Sequence, residues 1–109
     1  MPQVQAVVGR ADVVLYVADD PARLYQSGQW LRVLEALDGL EVAVVARHPG
    51  SAAALRSATS LPVHLAVGAA ALRTAYRELG ARVVLYPSNS VRNVDSLGAR
   101  SVRHLHVGH

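Results

Sequence analysis

Apolar residues fall in short, valine-rich runs along this chain, and between the runs they thin to a helical spacing. The runs are DVVLYVA (12–18), EVAVVAR (41–47), LPVHLAV (61–67), ARVVLYP (81–87) and SVRHLHV (101–107). Each has the length of a strand, and the near-continuous apolar first run is what burial on both faces of a sheet requires. After the first run Asp20 can cap a helix and Pro21 can open it, while Leu24, Leu31, Leu34 and Leu37 recur on one face and Gly39 can end it. SAAALRSA (51–58) after His48-Pro49-Gly50 and AAALRTAYREL (69–79) between Gly68 and Gly80 predict two more helices. SNSVRNVDSL (88–97), with Ser88 or Ser90 as cap and Gly98 as stop, predicts a fourth.

Strands and helices thus alternate strictly, with no internal repeat and no low-complexity linker. Short strands joined through helices must pair in parallel through right-handed crossovers. The expected fold is α/β: one Rossmann-like domain over 1–109 with an open, doubly wound, five-stranded parallel sheet in the order 3-2-1-4-5. That order puts the topological switch between strands 1 and 4, and ligands of such sheets bind beyond the strand C-termini near it. Asp19 and Asp20 follow strand 1, Ser88 and Asn89 follow strand 4, and His109 follows strand 5. These five residues are the candidate site.

Composition narrows the chemistry. Hydrophobic residues make up 51% of the 109, which excludes disorder, and the absence of cysteine excludes disulfides, thiolate catalysis and cysteine metal sites. All eleven basic residues are arginine, but they are scattered, the net charge is only +3, and one Trp and four Tyr accompany them. Nucleic-acid binding is therefore not expected. No apolar run approaches the roughly 20 residues of a membrane span, and the start lacks a basic, then apolar, leader.

Several chemistries can be weighed at the strand ends. The turn Ala18-Asp19-Asp20-Pro21 carries no Gly-x-Gly-x-x-Gly, and two carboxylates there would repel a pyrophosphate, so no dinucleotide cofactor is expected. A phosphoryl-accepting receiver domain has this size and an acidic pair here. It needs an aspartate ending strand 3, where Val67-Gly68 stand, and a lysine after strand 5, and the chain has no lysine. Asp19 and Asp20 can equally serve only to cap the helix. His104 and His106 share one face of a strand and His109 follows, yet no neighbouring Asp, Glu or Cys completes a tetrahedron, so no metal is expected. His48, at a turn, and His64, on a strand, read as structural, and Arg92, Asn93 and Asp95 as a solvated helix face.

DVVLYVADDPARLYQSGQW, VVLYPSNSVRNVDSL and RHLHVGH together resemble the N-terminal domain of the CDP-glycerol:poly(glycerophosphate) glycerophosphotransferases, the teichoic-acid-type polymerases of bacterial envelopes, in their actinobacterial form. Asn89 and Asn93 match two asparagines of the family, and His109 matches a histidine that the family continues as His-Gly. The aromatic residues, often Phe, that flank these motifs in the family are missing here. The resemblance implies the N-terminal, acceptor-side half of a GT-B-type transferase, whose C-terminal domain holds CDP-glycerol and lies outside this chain. It implies that His109 is the general base on the acceptor hydroxyl, that the partners are CDP-glycerol and a polymer acceptor, and that the 109 residues alone are inactive. It also implies a cytoplasmic enzyme at the inner face of the membrane, associating with it only through parts not present here. The alternative is a stand-alone, non-catalytic Rossmann-like module that binds a ligand or partner.

Overall fold

The computed structural model describes residues 10–19, 21, 24–37, 39–87 and 102–107. Five strands, β1 (Val13–Val17), β2 (Val42–Ala46), β3 (Val63–Leu65), β4 (Val83–Tyr86) and β5 (Arg103–His106), form one sheet in the order β3-β2-β1-β4-β5. Every pairing is parallel: Val13 meets Val42 and Val83, Val45 meets His64, and Tyr86 meets His106. The chain is an α/β protein with a doubly wound sheet, in the expected strand order. Helices α1 (Tyr25–Glu35), α2 (Pro49–Ala58) and α3 (Ala69–Leu79) separate the first four strands. The predicted helix over 88–97 lies outside the described residues.

Alternation along the strands divides the core in two. Leu15 and Val17 of β1 join Val42, Val44 and Ala46 of β2 on one face, beneath Leu31 and Leu34 of α1 and Ala52 and Leu55 of α2. Val14, Tyr16, Val45, Val84 and Tyr86 point the other way, against Leu72, Ala75, Tyr76 and Leu79 of α3. Right-handed crossovers demand this arrangement, because the sheet grows in one direction through β3 and reverses at β4. β1 is therefore covered on both faces, which is why its sequence is an unbroken apolar run.

The helix ends depart from expectation in three places. Pro21 stands in a 3₁₀ turn and α1 proper starts at Tyr25, with Leu24 in the capping position and Gly28 N–H donating to the Leu24 carbonyl at 2.9 Å. The preceding turn is already engaged: the Asp19 carbonyl accepts from Ser51 Oγ at 2.6 Å, and Pro21 lies against the start of α2. α1 stops at Glu35, short of Gly39, so Leu37 is 41% exposed and does not extend the buried stripe. α2 begins two residues before the expected 51, because Pro49 takes the first helical position and the His48 ring caps it. Gly80 ends α3 as predicted, at φ 70°, a left-handed conformation that other residues adopt at a cost.

Candidate functional site

The C-terminal ends of the strands form one lip, and side chains from three strands and the start of α2 shape it. After β1 the chain passes Ala18 and Asp19, whose carbonyl is held by the fully buried Ser51. A methyl on Gly50 would lie 2.9 Å from Pro21 Cγ and 3.2 Å from the His48 ring, so the turn after β1 and the start of α2 are in close contact. His48 Nδ1 accepts from Gly50 N–H at 3.0 Å, which makes this imidazole a helix cap.

At the β4–β5 side, three rings gather on the α3 face of the sheet. Tyr86 is fully buried, and its Oη lies 2.6 Å from His104 Nδ1. With the proton of His104 on Nε2 the phenol donates and Nδ1 accepts, and with the proton on Nδ1 the roles reverse; either way the bond orients the ring. His106 stacks on Tyr86 with centroids 4.9 Å apart and planes 26° from parallel, while Tyr16 meets Tyr86 edge-on at 5.9 Å. Register explains the grouping: Tyr86 pairs with His106, and His104 sits one step below on the same face, opposite Val84. An imidazole so oriented can donate from Nε2, or take a proton there in its other tautomer, and a neighbouring exposed imidazole lies on the outer side. Among the described residues, no three metal-ligating side chains gather in one place.

At the opposite edge, His64 of β3 lies on the same face as Val45 and Tyr16. Burial pushes its pKa below the ordinary value of 6.5, and the nearby Arg56 guanidinium pushes it the same way. Arg56 itself is spent on the Val63 carbonyl, donating from Nε at 3.3 Å and from Nη2 at 3.1 Å. The buried Nε2 of His64 meets no hydrogen-bond partner among the described residues.

Of the five residues expected at the lip, Asp19 lies on it, half-buried, beyond β1. Asp20, Ser88, Asn89 and His109 lie outside the described residues, as do Arg92, Asn93 and Asp95. Tyr86 and Ser51 are site-forming residues that the sequence reading passed over. Tyr86 was absorbed into an apolar strand run, yet a tyrosine and two histidines at alternating positions of adjacent strands are a signal that the predicted strand order could have exposed.

The fold and this lip define the class, a doubly wound α/β protein with a Tyr–His–His cluster beside the ends of β4 and β5. Comparison with protein-family models, with curated proteins and with solved structures finds no match. No helix among the described residues is long and apolar enough to cross a membrane.

Proposed function

We propose that the chain is the acceptor-side, N-terminal domain of a glycerophosphotransferase, which moves glycerol phosphate from CDP-glycerol to a polymer of the cell envelope. The observation that supports this reading best is the pairing of β5 beside β4, in register Tyr86 with His106. Ser88-Asn89 follow Tyr86 closely in sequence and His109 follows His106, so the segments that carry the resemblance come next in the chain after two paired strands. In the proposed reaction His109 takes the proton of an acceptor glycerol hydroxyl. The hydroxyl oxygen bonds to the glycerol-bearing phosphorus of CDP-glycerol, the bond from that phosphorus to the bridging oxygen breaks, and CMP leaves. In the same reading Asn89, Ser88, Asp19 and Asp20 bind the substrate. Such an enzyme works in the cytoplasm, where nucleotide-activated donors are made, against the inner face of the membrane.

The test is CMP release from CDP-glycerol by the full polypeptide that carries this domain, with polymer acceptor present. A general base contributes about 10²–10⁴-fold to turnover, so His109→Ala should lower kcat by about that range and leave Tm nearly unchanged. Asn89→Ala should cost less. Absence of CMP release, or a His109→Ala enzyme with normal kcat, overturns the reading.

A further inference from the structure

Away from the lip, at the opposite end of the sheet, the first residues of β1, β4 and β5 border a cleft of about 620 Å³. This is within the range of small-ligand sites, about 300–1,000 Å³. Val13, Val83 and Leu40 give it an apolar wall, and Leu40 is 47% exposed although it lies between α1 and β2. Arg82 and Arg103 line its other side. Their backbones are direct neighbours, Arg103 N–H donating to the Arg82 carbonyl at 2.9 Å, so the two guanidinium groups spring from adjacent points. Both side chains are exposed, and neither meets a carboxylate among the described residues. The cleft's own acid is Asp12, which is already engaged: Oδ2 accepts from Glu41 N–H at 3.3 Å, and Oδ1 lies 3.9 Å from Arg10 Nε.

We propose that this cleft binds a soluble phosphate monoester with a hydrocarbon body. Two neighbouring cations that meet no counter-charge among the described residues repel each other and match a phosphate monoester, which carries about −1.5 to −2 at neutral pH. Guanidinium forks suit phosphate oxygens in paired hydrogen bonds. The apolar wall gives the hydrocarbon a surface, and the Asp12 carboxylate is engaged by Arg10 and the Glu41 amide. The site is independent of the lip and of the transferase reading.

The experiment is calorimetric titration of the chain with hexyl phosphate at low salt, beside inorganic phosphate, and sedimentation with phosphatidylcholine vesicles containing phosphatidic acid. Hexyl phosphate should bind saturably, one per chain. The double variant Arg82→Gln/Arg103→Gln should weaken it more than about tenfold, since it removes both charge-assisted forks. Leu40→Gln should weaken it less, and Arg73→Gln, exposed on α3, should leave it unchanged. Inorganic phosphate should bind at least about tenfold more weakly than hexyl phosphate, for want of the apolar contact. No saturable binding, equal affinity in the double variant, or equal affinity for inorganic phosphate overturns the proposal. Vesicle binding without hexyl phosphate binding also overturns it, in favour of a basic patch that meets a membrane surface.

Discussion

β2 and β5 lie two strands apart in the same sheet and are built on different terms. In β2 every residue is buried, while in β5 only His104 is even half-buried and Leu105 is 51% exposed. Both strands have a full parallel ladder with a neighbour. The backbone hydrogen bonds are therefore alike, and the difference is in what the side chains remove from water. Hydrophobic burial holds the middle of this molecule; the β5 edge is held by its ladder, by the stacking of His106 on Tyr86, and by one phenol–imidazole hydrogen bond. The residues with chemistry to offer are on the side where the least burial is at stake.

The largest test of that difference compares two leucines. Leu15 is fully buried between α1 and the sheet, and Leu15→Ala should cost about 2–5 kcal/mol for lost burial and the cavity left behind. Leu105→Ala should stay within about 0.5 kcal/mol, as exposed substitutions do. Urea unfolding of both variants measures this, and similar losses would mean that the edge shares the core.

Less is expected at the hydrogen bond. Tyr86→Phe keeps the ring stacked and deletes only Oη, so it should cost about 0.5–1.5 kcal/mol. A double-mutant cycle with His104→Ala isolates the coupling. Additive losses would show that phenol and imidazole stabilise the edge separately.

The smallest effect is a pH slope at the β3 edge. His64 has a lowered pKa in the folded chain, so the unfolded chain binds its proton first as pH falls. Its contribution to stability is complete above the ordinary value of 6.5 and is lost as pH falls through the folded value. Thermal unfolding across about pH 7 to 5 should therefore show a steeper drop in Tm for the wild type than for His64→Leu. Parallel curves would mean that His64 is solvated in the native state.

Strand order and both faces of the sheet were legible in the sequence, because valine runs such as EVAVVAR can be satisfied only where both sides are covered. Helix boundaries were less so. Asp20-Pro21 has the chemistry of a helix start, but the carbonyl of Asp19 is held by Ser51, thirty-two residues away in sequence, and no local pattern reports a bond of that kind. The site divides likewise. Asp19 falls at a strand end by simple counting, whereas the meeting of Tyr86 with His104 depends on the register of β4 against β5. His48 is a cap because of its position just before Pro49, and that much was readable as a turn residue.

β1 has to find two partners that arise at different times. Its seam with β2 joins neighbours across one helix, but its seam with β4 must wait for three helices and two strands. Closing a longer loop costs more entropy before any contact rewards it, so β1, β2 and β3 can assemble as a unit before β4 docks. Until then Val14 and Tyr16 have neither β4 beside them nor Tyr86 against them, and one edge of the central strand is open. A half-sheet of β1, β2 and β3 would present β1 as a raw edge, the kind of edge that pairs with strands of other chains.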